Sequence, residues 1–303
     1  MPLAPASAQW HSESTQHYIT ASLAGGSGLG TSCNEMIESQ LGGEGQVALS
    51  YELLHRGFFF SIGVGGDYRL SRYQMANDMV HSFARQDRDG HDISYRYVYS
   101  DYKEKQHIAC VTVPLFFGYY ITDNVYASLG VKASIPLWNR YTTQTLLYTE
   151  GEYPNLIDFV SRNVPSYGFY PTMECSGVGI YNAPTLSVSP MAEVGAAFEL
   201  SRRVSCRLGL YVEYAIPVIW TNNLTELVDY SGVDANPLTQ SQENLQNSIM
   251  FHSVMNSQMN AAATAYAGQN LFTDMSQYLS FGIRATFRFN IAHGSSKCMC
   301  LKD

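Results

Sequence analysis

The chain has 303 residues, of which 46% are hydrophobic and 15% charged, with a formal net charge of −8. Charged residues fall below the ~25% usual in soluble domains. An acidic balance with no basic stripe argues against a nucleic-acid partner, and no apolar run approaches the ~20 residues of a membrane-crossing helix.

At the start, Ala6-Ser7-Ala8 before Gln9 has the small-residue character of a signal-peptidase site, so residues 1–16 read as a signal-peptide remnant and N-terminal segment. Ile19, Ala21 and Leu23 then alternate with Thr20 and Ser22. The following Gly26-Ser27-Gly28-Leu29-Gly30 has some likeness to a dinucleotide-binding loop, but no βαβ unit surrounds it and a flexible loop is expected. Around His55-Arg56-Gly57, Val47, Leu49, Tyr51 and Leu53 precede the turn and Phe60, Ile62 and Val64 follow it, each alternating with small or polar residues. The same pattern flanks Thr122-Asp123-Asn124, from Ala109 to Tyr119 and from Ala127 to Leu137. It recurs around Ser201-Arg202-Arg203, from Val188 to Phe198 and from Cys206 to Tyr214. A last segment runs from Leu279 to Ile291. A period of two is the strand signature, and each short turn marks a hairpin.

Eight such segments, three tight turns and four long connections (roughly 26–44, 72–106, 139–186 and 221–276) predict an all-β fold. The expected architecture is an eight-stranded antiparallel up-and-down transmembrane β-barrel, with four long extracellular loops and three short periplasmic turns, over 17–291, followed by a periplasmic C-terminal tail, 292–303. A soluble sandwich or lipocalin-like barrel shows the same alternation, and the polarity of the second face separates the two. Three signals favour the membrane form: segments near the 9 to 11 residues of a tilted span, an off-face rich in Gly, Ala and Ser, and aromatics near strand ends. The last are Phe58 to Phe60, Tyr119, Tyr120 and Tyr126 on the turn side, and Tyr68, Tyr73, Trp138, Tyr141 and Trp220 on the loop side.

That inversion sends Glu52, Asp67, Arg69, Lys132, Glu193, Arg207, Glu213, Arg284 and Arg288 into the lumen. An eight-stranded barrel has room only for side chains, and isolated ions there are expensive, so a plug of salt bridges is predicted rather than a pore. Tyrosine-rich connections, including Tyr95, Tyr97, Tyr99 and Tyr102, are expected either to bind or, preferentially, to pack on themselves. A short surface helix is expected between Ser241 and Ala267.

Cys33 and Cys175 fall in connections on one predicted side, which allows a loop disulfide that protection from alkylation would reveal; Cys298-Met299-Cys300 is too sparse for a zinc site. No histidine has metal-ligand spacing, and no metal or cofactor is expected. His81, Asp89, His91 and Asp92 could supply parts of a catalytic site, but no nucleophile motif accompanies them and no catalytic residue is assigned.

With these eight segments, four long connections, three turns and Phe287 and Phe289 alternating near the end, the chain resembles the OmpA-like and OmpX-like eight-stranded outer-membrane barrels. Val113-Pro114-Leu115-Phe116-Phe117-Gly118-Tyr119 and Ile135-Pro136-Leu137 look like the variant with prolines inside the spans, some members of which are subunits of secretion or assembly machines. It departs from the pattern in that Ala292 to Asp303 follow the last strand, instead of a terminal aromatic. The resemblance implies a bacterial outer-membrane location, contact with outer-membrane lipid and with other envelope proteins, and a non-enzymatic role as a structural or interaction subunit. A small-solute channel and a lipid-modifying enzyme are the alternatives.

Overall fold

A computed structural model describes residues 15–31, 36–86, 89–154, 160–201, 203–219, 225–233, 240–255, 257–258 and 277–291. In chain order the strands are β1 (Gln16–Thr31), β2 (Ile37–His55), β3 (Phe58–Met75), β4 (Met79–Gln86), β5 (Asp92–Tyr120), β6 (Val125–Glu152), β7 (Val160–Arg162), β8 (Met173–Gly179), β9 (Leu186–Glu199) and β10 (Val204–Ile219). Four two-residue strands, β11 (Thr225–Glu226), β12 (Val228–Asp229), β13 (Met250–Phe251) and β14 (Ser257–Gln258), surround helix α1 (Gln242–Ser248), and β15 (Gln277–Asn290) completes the series.

Eight of these strands close an antiparallel ring in the order β1-β2-β3-β5-β6-β9-β10-β15, with β15 returning to β1. Closure removes the free edges that would otherwise template aggregation. The tight turns have local causes. Arg56 and Gly57 both take positive φ, 50° and 83°, the paired conformation whose twist matches the flanking strands. At the other two turns a hydroxyl does the work: Thr122 Oγ1 accepts from the Val125 N–H at 3.2 Å, and Ser201 Oγ accepts from the Val204 N–H at 3.2 Å.

The wall is inverted relative to a water-soluble barrel. Within a band of the wall the outward positions of every barrel strand are apolar, Leu129 and Leu137 being 68% and 73% exposed, whereas Arg288 and Glu52 inside are both 0% exposed. Phe58 and Tyr119 at the turn end and Tyr68 and Trp138 at the loop end bound this band on the outside. The ten residue steps from Phe58 to Tyr68 in β3, at ~3.3 Å each and tilted ~40°, give a band about 25 Å tall. Other expected girdle residues turn inward: Phe59, Tyr120 and Tyr126 form an internal cluster at the turn end, and Tyr73 and Tyr141 belong to a core at the loop end. They sit on the opposite pleat from their exposed neighbours, so position along a strand did not settle their side. Trp220 lies outside the described residues.

The connections are shorter than expected because the strands continue past the band. Gly26 to Gly30 is not a flexible loop but the last third of β1. A Cβ at Gly28 would lie 2.5 Å from the Tyr278 ring and one at Gly30 2.1 Å from the Tyr73 hydroxyl. These glycines therefore make room for two inward tyrosine rings. β5 and β6 extend as a tall hairpin, with β4 on one side and β7 and β8 on the other. Above them α1, β12 and β13 are folded down into a cap. The expected helix forms over Gln242–Ser248, where Ser241 Oγ accepts from the Asn244 N–H at 3.2 Å.

Candidate functional site

Two arrangements could carry function: the charged lumen and the cap above it. All nine charged residues singled out in the sequence lie inside the barrel, together with a tenth, Glu44. Five acids (Glu44, Glu52, Asp67, Glu193, Glu213) face five bases (Arg69, Lys132, Arg207, Arg284, Arg288), so the lumen is formally neutral. Glu44 falls within the first expected connection, 26–44, and so outside the expected lumen set. It continues the phase of Gln46, Ala48, Ser50 and Glu52, and that phase was the signal available.

The charges stack in three layers. Toward the loop end, Asp67 accepts from Arg69 Nη2 and Lys132 Nζ, both at 2.8 Å, and Glu213 accepts from the same two at 3.0 and 2.8 Å. In the middle, Arg284 Nη1 donates to Glu193 at 2.7 Å, and its guanidinium lies 4.8 Å from the Tyr211 ring. Toward the turn end, Glu52 accepts from Arg207 Nη2 at 2.6 Å and from Arg288 Nε at 2.8 Å. Arg288 stacks over Tyr18 at 4.0 Å and Arg207 over Phe59 at 4.2 Å. Gln46 ties the upper layers together, donating to Glu213 at 2.9 Å and accepting from Arg284 at 3.0 Å. Charge-assisted bonds with aromatic faces behind the guanidinium groups offset the desolvation that such burial costs.

Free space inside is small. One interior cavity of about 50 Å³ is lined by Arg69, Tyr73, Ser134, Tyr181 and Tyr278, and another of about 30 Å³ by Ser61, Ser128, Arg207 and Thr286. Each has room for no more than a water molecule or two. The wall also carries an external trough of about 620 Å³, where Ala127 and Ala192 lie between Phe117 and Tyr119 on one side and Leu210 and Val212 on the other.

The cap is a second hydrophobic core of ordinary polarity, apolar within and polar without. Tyr97, Tyr99, Tyr102, Tyr141, Leu147, Tyr170, Leu227, Leu245, Ile249 and Phe251 are buried in it, and Tyr95 packs on Phe169 beside it. The tyrosine-rich connections thus pack on themselves. Glu104 pins the cap to the barrel wall: it is buried without a cation and accepts from Tyr102 Oη at 2.9 Å, Gln106 Nε2 at 2.7 Å, Ser253 Oγ at 2.5 Å and the Val254 N–H at 2.8 Å. Burial raises its pKa by more than these four donors lower it. The cap is therefore held best while Glu104 is protonated, and this contribution is lost as pH rises through the raised value. Protection of the Phe251 to Met255 amides, corrected for intrinsic exchange, is expected to be higher at pH 4.5 than at pH 8, and Glu104→Gln to remove the difference. Equal wild-type protection at both pH values would show that the carboxyl does not hold the cap.

The histidines and acids considered for catalysis do not meet. His81 stacks on Tyr230 at 4.1 Å, and burial lowers its pKa. Asp89, His91 and Asp92 are exposed near the tip of the β4–β5 hairpin, with Asp92 opposite Gln86, five residues along β4 from His81. No group of three metal-ligating side chains occurs among the described residues. Cys175 is a buried free thiol whose pKa burial pushes up to about 11, and its expected partner Cys33 lies outside the described residues, as do Cys298 and Cys300.

No protein-family profile and no curated protein matches the sequence. Among solved structures, the chain is similar to Ail, the attachment invasion locus protein of Yersinia pestis, solved in complex with the heparin analogue sucrose octasulfate. The two are 8% identical, with a TM-score of 0.25 over 90% of this chain and 99% of that one.

Proposed function

We propose that this chain is a bacterial outer-membrane barrel that acts without catalysis, as a structural or interaction subunit of an envelope complex. The observation that carries the reading is the inversion of the wall. A continuous apolar band about 25 Å tall encircles five buried acid and five buried base side chains, an arrangement unstable in water but suited to acyl chains. The long-loop end then faces outward and the turn end the periplasm. The filled lumen argues against a solute channel, and the separation of His81 from Asp89, His91 and Asp92 against an enzyme. What is left to meet partners is the polar outside of the cap and the lipid-facing wall, including the trough at Ala127 and Ala192.

Native purification in mild detergent is expected to return stoichiometric envelope partners. Ala127→Leu with Ala192→Leu, which fills the trough, separates lateral from cap contacts: loss of the partner places it on the wall, and retention places it on the cap. Recovery of the chain alone under all mild conditions would count against the subunit reading. In a planar bilayer the purified protein is expected to show no stable, large conductance, and the opposite result would revive the channel.

A further inference from the structure

We propose that a cationic patch on the outside of the β3–β5–β6 wall, formed by Arg72, Lys105, His107 and Arg140, binds the phosphate of an anionic outer-leaflet lipid headgroup. This rests on the outer-membrane reading and adds to it a specific site.

The register brings these residues together from three adjacent strands. Arg72 is opposite Lys105, and His107 is opposite Arg140. Lys105 and His107 are two apart on the same outward pleat of β5, and both Lys105 and Arg140 lie within electrostatic reach of His107. Arg72, Lys105 and Arg140 are exposed. Among the described residues none of the three has a carboxylate partner, in contrast with the paired bases of the lumen and with Lys103, which bonds Asp101 at 2.7 Å. Glu38, an exposed acid on the neighbouring strand β2, is engaged by Gln74, from which it accepts at 2.5 Å.

The height of the patch selects the occupant. One rung below it, Tyr68 and Trp138 face outward across Ala109, and the Tyr68 hydroxyl bonds His107 Nδ1 at 2.5 Å. Aromatic residues of this kind lie at headgroup level, so the cations sit where lipid phosphates lie. Three unpaired cations close together on a chain of net charge −8 repel one another unless an anion joins them. A phosphomonoester spanning two rungs supplies that charge and can accept from guanidinium and ammonium donors at once.

The test is native mass spectrometry of protein released from phosphatidylcholine nanodiscs, with and without lipid A, comparing wild type with Arg72→Gln/Lys105→Gln/Arg140→Gln and with Lys103→Gln. Wild type and Lys103→Gln are expected to retain lipid A, and the triple variant to bind it about 100-fold more weakly. For wild type alone, 0.5 M salt during detergent exchange is expected to strip the lipid, a readout that needs no variant. Equal retention by the triple variant, or salt-insensitive retention by wild type, would overturn the proposal. Millimolar inorganic phosphate that binds as tightly as lipid A would also overturn it, by showing a free-anion site. Insertion into pure phosphatidylcholine is scored separately by resistance of the fold to SDS without heating. Insertion without lipid A retention defeats only this inference, whereas failure to insert defeats the outer-membrane reading with it.

Discussion

Glu52→Ala is expected to cost the barrel about 4 kcal/mol or more, enough to abolish a population of folded protein resistant to SDS without heating. Glu52 is the single acid of the layer nearest the turns, and it is shared by Arg207 at 2.6 Å and Arg288 at 2.7 Å. Removing it strands two guanidinium groups rather than one. Neither can escape: Arg288 is fully buried between Tyr18 and Tyr120, and Arg207 lies against Phe59 and Tyr126. In the proposed setting the wall outside them is hydrocarbon, so no rotamer leads to water.

A second experiment separates loss of charge balance from loss of volume. Replacing the whole layer by Glu52→Leu, Arg207→Met and Arg288→Met leaves no ion to desolvate, and apolar replacement of a buried triad is often neutral or stabilising. Urea unfolding in detergent micelles is expected to place the triple variant well above Glu52→Ala. If Glu52→Ala unfolds at the wild-type midpoint, the layer does not hold the barrel together.

The wall of the barrel was legible because one rule governs it. Between Phe58 and Tyr68, and at matching heights on its neighbours, every second residue meets either an apolar exterior or a packed polar lumen, so Val47, Leu49 and Tyr51 separate cleanly from Gln46, Ser50 and Glu52. Past Tyr68 and Trp138 the rule reverses: the inside becomes apolar and the outside polar, as in a soluble domain. Tyr73 and Tyr141 thus occupy the inward pleat that holds Asp67, Arg69 and Lys132 lower down. A reading that follows apolar side chains outward loses the strand at that height, and β1, β2, β5 and β6 all run on into the expected connections.

Irregularity hid the rest. In β5 the ladder slips between Ser100 and Lys103, where Asp101 takes a φ of 52°. Below the slip Tyr102, Glu104 and Gln106 are buried; above it Ile93, Tyr95, Tyr97 and Tyr99 are, with Val98 covered on the opposite pleat. The bulge shifts the phase by one, so alternation cannot be followed through it. The Glu104 clamp was illegible for a different reason, since its donors Ser253 and Val254 lie about 150 residues away in sequence and only folding of the cap brings them to the wall.

Gly282→Val is expected to prevent closure of the ring, the second large effect. Gly282 faces Gly26 across the β1–β15 seam, and the two backbones approach so closely that a Cβ at Gly282 would lie 2.2 Å from the Gly25 carbonyl oxygen and 2.6 Å from the Gly26 Cα. A Cβ at Gly26 would meet the Phe281 oxygen at 2.2 Å. These obstacles are backbone atoms of hydrogen-bonded strands, so no side chain can rotate aside and the seam itself has to open. The cost is expected at or above the upper end of the ~1–3 kcal/mol typical of overpacking. An opened seam also exposes two strand edges, whose unpaired amides cannot be satisfied in hydrocarbon. Gly45 provides the control. It pairs with Gly25 on the other side of β1, yet a Cβ there meets nothing within 4 Å. Gly45→Ala should therefore fold like the wild type, or slightly better because the unfolded chain loses entropy, while Gly282→Val runs on SDS gels as unfolded protein without heating. If both variants fold alike, the close approach at the seam is not what requires glycine, and the strands can close around a side chain at that rung.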